Sequence, residues 1–219
     1  MSKQILVDYI PFEVTREQIN ESISDNGGRL VVKGVLQRAE AKNQNGRVYP
    51  KETLMREAGK YAKVQIKERR ALGELDHPDS SVVNLNNVSH NVLEMHWKGD
   101  DLVGTVEVLG TPAGNILKEL FKSGIKLGIS SRGLGSVEEI HEGDGYNVKD
   151  DGGDPTVAVQ PDFELIAFDF VSNPSTQGAF MSPGKINEGV KDGVGTRHDG
   201  TCCHDCKVED IINDIFRGE

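Results

Sequence analysis

The apolar and polar positions of this chain change period several times, and each change marks a predicted element. Arg29-Leu-Val-Val-Lys-Gly-Val-Leu-Gln-Arg38 is short, apolar and rich in β-branched residues, which predicts a strand. Residues 41–47 are turn-forming, and Pro50 then suits the first turn of a helix running to about Glu68. Leu54, Ala58, Tyr61 and Ala62 give that helix an apolar stripe at spacings of three and four. Val83 to Trp97 and Leu102 to Leu109 read as strands joined by Lys98-Gly-Asp-Asp101, a hairpin signal. Thr111-Pro112 opens a second helix, with Ile116, Leu117, Leu120 and Phe121 facing inward and Gly124 stopping it.

Strand patterns resume at 125–131, 133–140, 156–160 and 163–172, and the polar, glycine-rich residues 141–154 between them read as an exposed loop. From Pro183 the apolar period is lost until a short amphipathic segment at Val208–Phe216. The expected organisation is an N-terminal extension over 1–28, one folded domain over 29–183, and a C-terminal tail over 184–219 with a linker at 184–206. The fold class is α+β, with mainly antiparallel strands and two or three helices.

Charge and cysteine usage narrow the setting. Twenty-five basic against 35 acidic residues give a formal net charge of −10, and no basic run is present. Nucleic acid and anionic membrane are therefore poor partners. No apolar stretch approaches the roughly 20 residues that span a bilayer, and the charged N-terminus is unlike a signal peptide, so the chain is expected to stay where it is made. Cys202, Cys203 and Cys206 all lie in the tail, so no disulfide framework staples the core, as suits a reducing cytoplasm. With His198 and His204 they are metal-ligand types, but their spacing departs from paired zinc motifs. No metal or cofactor is expected.

Three polar residues in apolar or extended surroundings carry candidate chemistry. His77 precedes Pro78, whose ring pushes it toward extended backbone, and Asp76 beside it is poorly placed to orient the imidazole. Ser130 and Ser131 sit where an apolar strand runs into glycine-rich backbone, and as neighbours they face opposite ways, so at most one meets His77. Gly133 and Gly135 permit positive φ and close approach, by which backbone N–H groups surround an oxyanion. Arg132 adds positive charge near that oxyanion, binds an acidic substrate residue, or is a solvated loop arginine. Asp169 interrupts the apolar run Glu164–Val171, and a carboxylate buried there needs a partner. A hydroxyl, an imidazole and a carboxylate are the parts of a serine hydrolase.

Ala71-Leu-Gly-Glu-Leu-Asp-His-Pro78, Gly128-Ile-Ser-Ser-Arg-Gly-Leu-Gly-Ser136 and Asp169-Phe-Val-Ser-Asn-Pro-Ser175 together resemble the prohead core proteases of T-even-like tailed bacteriophages. Gly34–Glu40, Asn45–Pro50 and Met95–Asp100 add weaker support, and the match covers most of residues 29–183. The resemblance implies a herpesvirus-assemblin-like fold, an antiparallel β-barrel flanked by helices. It implies a serine endopeptidase with His77, Asp169 and one serine as catalytic residues. The family's Ser-Ser-Arg-Gly block favours Ser130, whereas a broader serine-x-glycine pattern selects Ser131. Backbone near Arg132 and Gly133 would bind the oxyanion.

It further implies cleavage of phage scaffold and major capsid proteins inside the prohead, in the host cytoplasm, with self-association an open possibility. Such proteases cut after glutamate in an aliphatic-x-Glu sequence, before a small residue. Ile186-Asn-Glu188 before Gly189 and Ile140-His-Glu142 before Gly143 fit that pattern, and the first lies in the expected linker, making it the better self-cleavage site. The alternative is a prohead scaffold component that kept the fold and lost activity.

Overall fold

In the computed structural model, residues 4–11, 16–78, 80–125, 127–140, 156–172 and 181–183 are described. The expected tail helix and the residues Glu142, Gly143, Glu188, Gly189, Cys202, Cys203 and Cys206 lie outside them. Residues Met1–Asn187 gather into one unit.

The described residues form a mostly β structure with three α-helices. β1 (Gln4–Pro11), β7 (Gly128–Gly135) and β10 (Glu164–Val171) make a three-stranded antiparallel sheet with β7 in the centre. Five strands make a second antiparallel sheet: β11 (Met181–Pro183), β2 (Leu30–Arg38), β6 (Asp101–Val108), β5 (Val88–Lys98) and β4 (Leu72–Glu74), in that order. A small third sheet pairs β3 (Arg47–Val48), β9 (Val157–Val159) and β8 (Val137–Glu139). One parallel bridge, Leu75 to Phe170, ties the first two sheets together just beyond β4. The expected α+β class is present, but the barrel is not closed among the described residues: the strand orders are those of open sheets.

One core joins the first two sheets to the helices, and a second, smaller one around Tyr49, Leu54, Val159 and Phe163 serves the third sheet. Val32, Val92 and Val106 of the five-stranded sheet, Ile129, Phe168 and Phe170 of the other, and Tyr61, Leu117 and Phe121 from helices form a single buried cluster. Phe121 and Phe170 meet edge to face with ring centroids 5.5 Å apart, as do Tyr61 and Phe168 at 5.7 Å.

Several elements differ from their sequence expectation for identifiable reasons. The described residues among the first 28 are not an appendage: β1 pairs with β7 over its whole length, and α1 (Arg16–Asp25) buries Ile19 in the core. The run Ile5-Leu-Val-Asp-Tyr-Ile10 already had strand composition. The first expected helix is α2 (Lys51–Tyr61), with Pro50 at its N-cap rather than inside its first turn, continued by a π-helical turn over Ala62–Ile66. In α3 (Pro112–Lys122), Thr111 caps the Gly114 N–H and Gly124 ends the helix at φ 73°, but the inward stripe is Ala113, Leu117 and Phe121. Ile116, expected inside, is 55% exposed, one step out of phase with that i, i+4 stripe. No described helix is long and apolar enough to cross a membrane.

The largest difference decides the site. The break expected between 131 and 133 is absent: β7 runs straight through Arg132 and Gly133 to Gly135, and only Val137–Glu139 of the second expected strand forms a separate strand, β8. Gly133 and Gly135 are absent from the residues with positive φ. They are glycine because Phe163 and the start of β10 press on them: a Cβ on Gly133 would lie 2.3 Å from the Phe163 ring and 2.6 Å from the Glu164 carbonyl oxygen.

Candidate active site

Where β4 ends, Leu75 bridges to Phe170 and the Asp76 N–H donates to the Phe170 carbonyl at 2.7 Å. Asp76 itself turns through φ 71°, a left-handed conformation that aspartate tolerates better than most residues. Its Oδ1 accepts the His77 N–H at 2.9 Å. Asp76 thus shapes the backbone that carries the histidine without touching the ring.

The turn delivers His77 onto Asp169. Imidazole Nδ1 lies 3.0 Å from Asp169 Oδ2. A carboxylate only accepts, so Nδ1 carries the proton and neutral His77 keeps an unprotonated Nε2. That Nε2 is buried and has no hydrogen-bond partner among the described residues, although the side chain as a whole is 18% exposed.

Asp169 is fully buried and held by four contacts. Besides His77 it accepts from Arg132 Nε at 2.7 Å, from Arg132 Nη2 at 3.3 Å and from the Glu74 amide at 2.9 Å. Burial pushes this carboxyl up, but the hydrogen bonds from His77 and Arg132, the Arg132 charge and the Glu74 amide outweigh it and hold Asp169 below its ordinary value.

Strand register places the serines. Ser130 stands directly opposite Asp169 across the β7–β10 ladder, so the two side chains leave the sheet on one face. Arg132, two residues along, shares that face. Ser130 Oγ is buried and without a hydrogen-bond partner among the described residues. Ser131 points the other way, where its hydroxyl accepts from Gln37 Nε2 at 2.8 Å. The geometry therefore brings Ser130, His77 and Asp169 to one face and leaves Ser131 on the opposite one. His77 Nε2 and Ser130 Oγ are not bonded to each other, a looseness common in unliganded active sites.

Arg132 and Gly133 do not match the oxyanion role expected of them. The Arg132 side chain is fully buried, bonded to Asp169, to Glu74 Oε1 at 3.0 Å and to the Ser80 carbonyl. Its guanidinium faces two carboxylates and is no solvated loop charge. The backbone of both residues lies in the ladder between β1 and β10, with a β-bulge in β10 between their partners Leu165 and Ala167, which makes these strand positions rather than a free loop.

Glu74, His90 and Gln37 were not singled out from the sequence. His90 is fully buried: Nε2–H donates to the Phe168 carbonyl at 2.8 Å, and Nδ1 then accepts from the Ser89 hydroxyl at 2.8 Å. Burial lowers its pKa to about 4, so it stays neutral. The bond pins the strand one residue before Asp169. The signal was its place in Val88-Ser-His-Asn-Val92, where period two puts it on the same face as two buried valines. Gly73 makes room, since a Cβ there would lie 2.0 Å from the Phe168 carbonyl and 2.2 Å from His90 Nε2. Gly73→Ala is expected to cost about 3 kcal/mol of stability through overpacking, measurable by urea unfolding. An unchanged unfolding midpoint would contradict this packing.

A hydroxyl and a buried carboxylate on one sheet face, with an imidazole bonded to that carboxylate, are equipment for acyl transfer to water, the chemistry of a hydrolase. The comparisons with known proteins place the chain more narrowly. It belongs to the prohead core protein serine protease family, whose model matches residues 7–191. It is 34% identical over 161 residues to the prohead core protein protease of Enterobacteria phage T4, a match covering 73% of this chain and 71% of that one. It is also similar to the solved structure of the bacteriophage T4 capsid assembly protease, gp21, with a TM-score of 0.62 and 28% identity, covering 78% of this chain and 99% of that chain. The chain is thus a peptidase of a phage prohead and capsid assembly family.

Proposed function

We propose that this chain is a serine endopeptidase of herpesvirus-assemblin-like architecture, with Ser130 as nucleophile, His77 as general base and acid, and Asp169 as the carboxylate that orients His77. The observation that carries the reading is the His77 Nδ1–Asp169 Oδ2 contact of 3.0 Å, with Ser130 opposite Asp169 in the ladder. In the first step Oγ attacks the scissile carbonyl while Nε2 takes its proton. The tetrahedral intermediate collapses as Nε2 returns that proton to the leaving amine. Water, deprotonated by the same nitrogen, then releases the acyl-enzyme. Asp169 stays ionised throughout and stabilises the imidazolium, a role suited to its lowered pKa.

The substrates are phage scaffold and capsid proteins within the prohead, in the host cytoplasm, cut after glutamate in aliphatic-x-Glu sequences before a small residue. Self-cleavage falls after Glu188 and sheds the cysteine-bearing tail, with Glu142 before Gly143 as a second site. One experiment tests enzyme and nucleophile together: label the pure full-length chain with a fluorophosphonate, incubate a parallel sample and weigh it. Labelling lost in Ser130→Ala and kept in Ser131→Ala is the expected outcome, with a mass drop in the active chain alone. A label that survives Ser130→Ala would remove Ser130 from the mechanism.

A further inference from the structure

The buried network beside His77 contains one carboxylate more than the mechanism uses. Arg132 bridges Asp169 and Glu74, and all three side chains are fully buried. If Arg132 served only to align Asp169, a lone Arg–Asp pair would suffice. Such a pair would also cancel most of the negative charge that Asp169 directs at the imidazole. Glu74 changes that balance, because two carboxylates against one guanidinium leave one net negative charge in a region of low dielectric.

Glu74 is well placed for this. Its backbone N–H donates to Asp169 Oδ1 at 2.9 Å, so the same residue touches Asp169 with its amide and Arg132 with its carboxylate. Oε1 also accepts the Asn84 N–H at 3.0 Å, whereas Oε2 is buried and has no donor among the described residues, so its charge is only partly quenched. Neighbouring titratable groups among the described residues supply no alternative. On β5, His90 is buried and neutral. On α2, burial and the charge of Asp169 keep the Tyr61 phenol protonated. The Asp76 side chain is engaged by the His77 N–H on an exposed residue, where solvent screens it.

We propose that Glu74 is a positioning residue for His77, its buried charge offsetting Arg132 so that the network keeps one net negative charge for the imidazolium. This rests on the proposed role of His77 as the base. The imidazolium formed on nucleophilic attack then meets a site that is anionic overall, while Arg132 still fixes the angle of Asp169. Glu74 touches neither the substrate nor Ser130 in this scheme, and acts through Arg132 and Asp169.

The test is the titration of the His77 ring protons by NMR in the full-length chain carrying Ser130→Ala, which keeps it intact. Glu74→Gln preserves an acceptor for Arg132 and Asn84 but removes the charge. It is expected to lower the His77 midpoint by about one pH unit, whereas Glu74→Asp keeps the charge and holds the midpoint within about half a unit. An unmoved midpoint in a folded Glu74→Gln chain overturns the proposal. In the active protein the acid limb of kcat/KM moves down with the midpoint and the plateau falls about tenfold. A purely structural role lowers the plateau and leaves the limb in place, which also overturns it. A shifted midpoint with a fixed limb upholds the Glu74 coupling and counts against His77 as the base. If Glu74→Gln does not fold, the double variant Glu74→Gln, Arg132→Gln removes one charge of each sign. Its midpoint is expected within about half a unit of the parent, and a fall of a full unit overturns the charge balance.

Discussion

Ser130→Ala is expected to reduce turnover of a peptide substrate by about 10⁴-fold or more, while Ser131→Ala stays within about tenfold of the parent. The two serines are adjacent, equally buried and chemically identical, so only their direction distinguishes them. Ser130 leaves β7 on the Asp169 face with its hydroxyl unpartnered among the described residues. Ser131 leaves on the opposite face and accepts from Gln37. Removing that hydroxyl strands one buried amide donor, at about 1–3 kcal/mol of stability, without touching the imidazole. Steady-state kinetics on both variants, with unfolding curves alongside, separate the two roles. Comparable loss of turnover in both would mean that strand register does not select the nucleophile.

Arg132→Met is expected to be among the most damaging substitutions in the chain. It would leave the carboxylates of Asp169 and Glu74 facing each other in a dry site, and breaking a buried ion pair from one side costs about 3–5 kcal/mol. The pH dependence has a definite sign. In the parent, the folded-state pKa of Asp169 lies below its unfolded value. The stability this contributes is present above the unfolded pKa, and is lost as pH falls through the folded one. Without Arg132 the carboxylates resist ionisation in the fold, so the folded pKa rises and acid stabilises the variant relative to the parent. Urea unfolding between neutral pH and about pH 5, below which carboxylates titrate broadly, reads this directly. The stability gap between parent and variant should narrow with acid; a constant or widening gap would refute the ion network.

Much of the site was legible because two of its residues violate local rules. Asp169 breaks an apolar run, and a buried carboxylate has to find a donor somewhere. His77 is forced out of helical backbone by Pro78, so it had to sit on a connection or an edge. Arg132 differs from its expectation because the glycines after it suggest positive φ and an oxyanion cradle rather than a continuing strand. Taken as one strand through Gly135, the same residues put Arg132 in a buried row, where it too needs carboxylate partners. Glu74 was passed over for a related reason: its neighbours marked a short connection, and nothing local shows that a three-residue strand is buried on the sheet. The inward Ile116 failed on phase alone, since a stripe at 116, 117, 120 and 121 fits two adjacent helix faces and packing chose one.

Residue order settled α2 and α3 though not α1, the hairpin at Gly99, the acidic charge balance and the need for a partner at Asp169, because propensity, capping and desolvation act over a few neighbours. Which serine shares the Asp169 face, what Arg132 bonds to, and whether the opening residues join the sheet depended on lateral strand pairing. That register joins positions nearly forty to more than a hundred residues apart, as Ser130 with Asp169 and Gln4 with Gly135. A slip of one residue would send every side chain of β7 to the other face, so the chemistry of this site is a consequence of register more than of composition.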